Sequence, residues 1–128
     1  MHKEIRQVYK FHQAFGLYSQ RDININPPKE VAILRKSLIE EETKEVVEEL
    51  EKENVDKQAL AKELADLLYV TFGTIVSYGL QHYIEDVFDE VHESNMSKLG
   101  LDGKPIYRED GKVLKGPNYF KADMSKIF

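Results

Sequence analysis

Apolar residues over roughly the first hundred positions recur every three or four residues, the period of an α-helix rather than of a half-buried strand. Four segments carry the pattern. The first, about 3–19, places Ile5, Val8, His12 and Phe15 on one face with Tyr9 beside them and Gly16 near its end. Residues 20–26 have turn composition and offer Asn26 as a cap ahead of Pro27 and Pro28, so a long second helix is predicted to about residue 53. Residues 54–56 break it, and Asp56 caps a third helix that ends near Gly79, a left-handed terminator. Leu60, Leu64, Leu67, Leu68, Val70, Phe72, Ile75 and Val76 ring that third helix, which predicts burial on most sides. Gly73 within it points to close approach of a neighbouring backbone. The fourth, about 81–99, buries Ile84, Val87, Phe88 and Val91, and Asn95 and Lys98 extend that stripe. After Gly100 the periodicity stops, and residues 106–108 and 112–114 flank Glu109-Asp110-Gly111, a hairpin signal. The fold class predicted is all-α: a bundle of four main helices in a single domain, 1–128, with a helical core over about 3–99 and an irregular C-terminal arm over about 100–128.

The second helix continues its apolar stripe in carboxylates. A helical residue turns by about 100°, so Val31, Leu34, Glu41, Glu42, Glu45 and Glu49 all fall within roughly 60° of Leu38. Burying Val31, Leu34 and Leu38 drives Glu41, Glu42 and Glu45 towards the interior, where an uncompensated carboxylate costs several kcal/mol or more. A cation is therefore required. Glu63 and Asp66, three apart on one edge of the third helix, complete a set of five hard oxygen donors without Cys or His, a set suited to Mg²⁺ or Mn²⁺ rather than zinc or copper. Glu40, Glu48, Glu51 and Glu53 read as a solvated face.

Charge is unevenly distributed along the chain. The net charge of −5 argues against general nucleic-acid binding. Residues 1–36 nonetheless hold seven Lys and Arg against three acids, and residues 98–128 seven against four, an arrangement in which central acids chelate metal while basic ends reach a polyphosphate. The absence of Cys excludes a disulfide framework and a thiolate metal site. No apolar run approaches the roughly 20 residues of a membrane span, and the first residues lack a signal-peptide core; a cytoplasmic location is expected. So many apolar positions on four helices also predict at least a homodimer.

The pattern Glu41-Glu42-x-x-Glu45, then Glu63-x-x-Asp66, then Asn95-x-x-Lys98 resembles the all-α nucleoside triphosphate pyrophosphohydrolases, a group that includes MazG-like proteins, dimeric dUTPases and phosphoribosyl-ATP pyrophosphohydrolase. Phe11-His12-x-Ala14-Phe15-Gly16 and the tail from Gly111 through Lys115 and Asn118 to Tyr119 are similar to the small MazG-like and phosphoribosyl-ATP pyrophosphohydrolase-like members, so the resemblance covers nearly the whole chain. It implies a Mg²⁺-dependent enzyme, with Mn²⁺ as a substitute, that cleaves a (deoxy)nucleoside triphosphate or related nucleotide to the monophosphate and pyrophosphate in nucleotide-pool house-cleaning. Glu42, Glu45, Glu63 and Asp66 are then metal ligands, and Glu41 holds or deprotonates the attacking water or serves as a further ligand. Asn95 and Lys98 grip phosphate or sugar, with Lys115 and Tyr119 as additional candidates from the same or another subunit. The resemblance also implies a homodimer or homotetramer.

Other readings stay open at this point. His12 is either a hydrogen-bonded core residue or a substrate contact, Lys98 a charge placed against the helix dipole, and the arm a packed strap with incidental lysines. Phosphoribosyl-ATP pyrophosphohydrolase activity in histidine biosynthesis is the alternative within the family, and a non-enzymatic helical interaction module the alternative outside it. A di-iron carboxylate bundle needs Glu-x-x-His pairs; the chain offers only Asp89-x-x-His92.

Overall fold

The computed structural model describes residues 2–128 and is all-α, with no strand among them. Helix α1 spans His2–Phe15, α2 Lys29–Leu50, α3 Lys57–Ser77 and α4 Ile84–Met96, and a 3₁₀ turn follows at Met124–Lys126. The chain divides into two compact units, Met1–His82 and Tyr83–Phe128. The division falls ahead of α4, so that α4 groups with the C-terminal arm. No helix of the described residues is long and apolar enough to cross a membrane.

In the first unit α3 packs against both α1 and α2. The buried apolar core comes from Ile5 and Val8 of α1, Val46 of α2, and Phe72, Ile75 and Val76 of α3. At 1.5 Å per residue α1 is about 21 Å long and α3 about 31 Å, so α1 covers only part of its neighbour. The C-terminal part of α3 is buried, whereas Leu64, Leu68 and Tyr69 stay exposed. The expectation of burial on most sides therefore fails for the N-terminal half of α3. On α2, Val31 and Leu38 are half-buried, but Leu34 and Ile33 are exposed, because α3 covers one flank of the stripe and leaves the other open.

Element ends follow local chemistry. The Asp56 side chain caps α3 by accepting from the Gln58 and Ala59 amides, both at 3.3 Å. Beyond α3, Gly79 adopts φ 70°, and a side chain there would collide with the Asp22 carbonyl, so only glycine suits this terminator. Asn26 does not cap α2. That helix starts behind Pro28 with no side-chain cap, and the Asn26 amide donates instead to Asn24 Oδ1. α1 stops four residues short of the expected 19, where Leu17 N–H turns back to the His12 carbonyl. The following chain is tied to the end of α3, with Gln20 N–H donating to Val76 O and Asn24 N–H to Tyr78 O, each at 2.9 Å.

The second unit corrects the reading of the fourth helix. It is shorter than 81–99, and Phe88 and Val91 are exposed while Glu90 and Ser94 are buried. The reason is that the arm lies along the polar face. Glu90 accepts from Asp123 N–H at 3.0 Å and from Lys126 Nζ at 3.4 Å, and Ser94 Oγ donates to Phe120 O at 2.8 Å. Irregular backbone needs polar partners when it packs, and this face of α4 supplies them. The expected hairpin is reduced to one antiparallel bridge, Tyr107 with Val113, braced by the Arg108–Asp110 ion pair.

Gly73 does mark a close approach, but of side chains rather than backbone. A methyl group on it would collide with Arg35 Nη2 and lie 3.0 Å from His12 Nε2. Gly73→Ala is therefore expected to destabilise by about 1–3 kcal/mol through overpacking, although alanine favours a helix by about 1 kcal/mol. Urea unfolding measures it, and an unchanged midpoint would show that the Arg35 side chain moves aside freely.

Candidate functional site

The side-by-side packing of α2 and α3 brings two pairs of carboxylates together. Glu42 and Glu45 lie three apart on α2, Glu63 and Asp66 three apart on α3, and one oxygen from each falls within 4.8 Å of the others. All four are half-buried. Glu42 Oε2 and Glu63 Oε2 are fully buried and lack a hydrogen-bond partner, as does Glu49 Oε2, whose other oxygen receives Lys52 Nζ at 2.6 Å. Buried acceptors are almost always satisfied in a folded protein. Orphan oxygens on hard donors, with no thiolate or imidazole among them, fit a hard divalent cation.

The protein's own counter-charge is Lys62. Its Nζ lies 2.7 Å from Asp66 Oδ2 and 3.6 Å from Glu63 Oε1, with the side chain mostly exposed at the rim. These carboxylates raise the Lys62 pKa, chiefly through the hydrogen bond to Asp66. One ammonium does not balance four carboxylates. The Glu63 carboxyl is pushed above its ordinary range, first by a shared hydrogen bond with Glu45, then by burial, with Glu45 and Asp66 adding repulsion against the opposing pull of Lys62.

Glu41 sits apart. It is exposed and lies outside the group of four, one helical step of about 100° round from Glu42. In the second unit, Gly116 N–H donates to Lys98 O at 2.8 Å, which sets Lys115 and Tyr119 beside the end of α4, and the Lys115 ammonium stands 4.8 Å from the Tyr119 ring centroid. Asn95, whose carbonyl accepts from Lys98 N–H, is exposed one turn earlier.

His12 is 2 % exposed, and its Nδ1 donates to the Tyr18 carbonyl at 3.0 Å, which Ser77 Oγ also engages. Burial, and secondarily Arg35, lowers its pKa against the opposing pull of that carbonyl. Arg35 itself escaped the sequence reading. It is 5 % exposed, with Nε donating to Thr74 Oγ1 at 3.3 Å and Nη2 to Val70 O at 3.0 Å, and it forms no ion pair among the described residues. The signal was present, since Arg35 lies about 60° from Leu38 on the same stripe.

These helices and carboxylates define a class, the all-α nucleotide pyrophosphohydrolases. Residues 8–95 match the family model described as phosphoribosyl-ATP pyrophosphohydrolase, and the chain belongs to that family. The match takes in His12, Arg35, the acidic cluster and Asn95, and ends before Lys98, Lys115 and Tyr119. No curated protein matches the chain.

The raised Glu63 pKa makes the folded protein the better proton binder between the ordinary carboxylate value and the raised one. Its contribution to stability is full in acid and is lost as pH rises through the raised value. In chelator, Glu45→Gln removes the hydrogen-bonded like charge. It should shrink that pH-dependent loss relative to the parent and be as stable or more so at about pH 7. Melts of both proteins from about pH 4 to pH 8 test this. A loss of about 3–5 kcal/mol would instead mark Glu45 as half of a structural ion pair.

Proposed function

We propose that the chain is a Mg²⁺-dependent pyrophosphohydrolase, with Mn²⁺ as a substitute, that converts a (deoxy)nucleoside triphosphate to the monophosphate and pyrophosphate in nucleotide-pool house-cleaning. The observation that carries this reading is the four-carboxylate cluster with its two orphaned buried oxygens. In this reading Glu42, Glu45, Glu63 and Asp66 hold the cation. When bound, the metal supplies charge neutralisation at the phosphate oxygens and a more acidic water.

The chain's own residues do the rest. Glu41, exposed and next to Glu42 in the chain, accepts the proton of the attacking water or orients it. The Lys98 ammonium meets phosphate as a compact point charge with three donors, and Asn95 offers an amide to the sugar. Lys115 and Tyr119 extend this grip from the same or a second subunit, and His12 faces the base. A homodimer or homotetramer fits the exposed Phe15, Ile33, Leu64 and Leu68, since such patches mark interaction surfaces. The cytoplasm suits a cysteine-free, soluble nucleotide enzyme.

A second reading, phosphoribosyl-ATP as the substrate, is favoured by the description of the matching family. Both readings cut the same kind of bond, so one assay separates them. Deoxynucleoside triphosphates and phosphoribosyl-ATP are supplied with Mg²⁺ and the products resolved. Pyrophosphate is expected as the first product, together with a rise in melting temperature on adding millimolar Mg²⁺, following RT ln(1 + [L]/Kd). Orthophosphate as the first product, or a melting curve indifferent to Mg²⁺ with and without a non-hydrolysable nucleotide, contradicts the proposal.

A further inference from the structure

A cavity of about 300 Å³ opens between the end of α1, the chain after it and the start of α2, lined by His12, Leu17, Tyr18, Val31, Leu34 and Arg35. Its walls are largely apolar; buried Ser77 also lines it but spends its hydroxyl on the Tyr18 carbonyl, while buried His12 and Arg35 bring complementary hydrogen-bonding groups. Because the Tyr18 oxygen is a carbonyl, His12 Nδ1 must carry the hydrogen in that contact. Neutral His12 therefore keeps its lone pair on Nε2, which has no partner among the described residues. Beside it, Arg35 spends Nε on Thr74 and Nη2 on Val70, and Nη1 has no partner among the described residues. The guanidinium carbon and His12 Nε2 each lie 3.0 Å from the point that a Cβ on Gly73 would occupy, so the two groups are neighbours. Exposed Glu30 also lines the cavity but forms no ion pair with Arg35 among the described residues.

We propose that this cavity takes the nucleobase of the substrate and selects bases that present a ring carbonyl next to a ring N–H, namely uracil, thymine, hypoxanthine or guanine, over cytosine and adenine. The inference rests on the nucleoside triphosphate reading of the acidic cluster. A cationic donor beside an uncharged acceptor matches the carbonyl and the N–H of a lactam edge. Cytosine and adenine offer the reverse order, an amino donor beside a bare ring nitrogen, and would set donor against donor. The lowered pKa of His12 keeps the acceptor lone pair available near neutrality.

Position along the helix supports the same ligand part. Arg35 is seven residues from Glu42, or about 10 Å along the axis. That is too far for a phosphate held at the carboxylates and near the span of a ribose leading to its base. Leu17, Val31 and Leu34 with the aromatic Tyr18 give the cavity the mainly apolar lining that suits a nucleobase.

Two measurements on the intact protein test this. In chelator, deoxyuridine and deoxycytidine monophosphates are titrated to millimolar concentration and followed by NMR shifts. With Mg²⁺, kcat/KM is compared for the corresponding triphosphates. Uracil should be favoured about tenfold or more in both, since one well-made two-bond base contact discriminates at that level. Arg35→Met keeps the length of the side chain and should bring both ratios close to one, while Arg35→Lys retains a donor and part of the preference. A purely structural Arg35 predicts altered stability with the parent's base ratio.

Turnover without base preference, or with cytosine favoured, overturns the pocket while the pyrophosphohydrolase reading stands. Preferential uracil binding without turnover keeps the pocket and removes that reading. Failure of both monophosphates to bind, joined to equal turnover, overturns the pocket, and if Arg35→Met does not fold, the parent ratios and Arg35→Lys decide.

Discussion

Mutual repulsion of four carboxylates at one seam is the constraint around which the first unit is arranged. Helix pairs ordinarily bury apolar stripes against each other, but α2 and α3 also half-bury Glu42, Glu45, Glu63 and Asp66 between them. At a few ångströms, like charges in a partly desolvated setting oppose folding. Among the described residues the cluster has one exposed lysine, Lys62, as counter-charge, and two of its buried oxygens have no hydrogen-bond partner, while the Glu63 carboxyl is pushed towards its protonated form beside Glu45. Such an arrangement is costly as scaffolding. In our proposal it serves as a receptor, because a divalent cation would satisfy the orphaned oxygens and relieve the repulsion together.

The same seam reverses sign further along. Two turns from Glu42 the stripe carries Arg35, buried against Val70 and Thr74 with Gly73 cut back to make room. A buried guanidinium without an ion pair is as unusual as a cluster of half-buried carboxylates. The two features share one pair of helices, which turns α2 and α3 into a ruler with an oxygen-rich end and a donor-rich end. In our proposal a nucleotide lies along it, phosphates at the first and base at the second.

Much of this was legible in the sequence, for physical reasons. Helical periodicity identified all four helices, Asp56 and Gly79 marked the ends of α3, and the coincidence of Glu42 and Glu45 with the Leu38 stripe required the acids to face another helix. Arg35 was overlooked because arginine on an apolar stripe commonly snorkels to solvent, and one-dimensional spacing does not say whether a chain end will seal it in. The α4 stripe misled because its burial depends on the arm. Glu90 and Ser94 are chosen by the backbone groups of residues 120–126 that they satisfy, and no period encodes that choice. Exposed Leu64, Leu68 and Phe88 likewise look like core from the pattern alone, since periodicity reports which face is apolar and not what covers it.

If the four carboxylates act as one cation site, binding of Mn²⁺ followed by electron paramagnetic resonance reports it without relying on turnover. The parent should bind Mn²⁺, and the single amide variants Glu42→Gln, Glu45→Gln, Glu63→Gln and Asp66→Asn should each weaken it about tenfold or more, whereas Glu48→Gln on the solvated face should not. Parent-like affinity in all four variants would contradict a shared cation site.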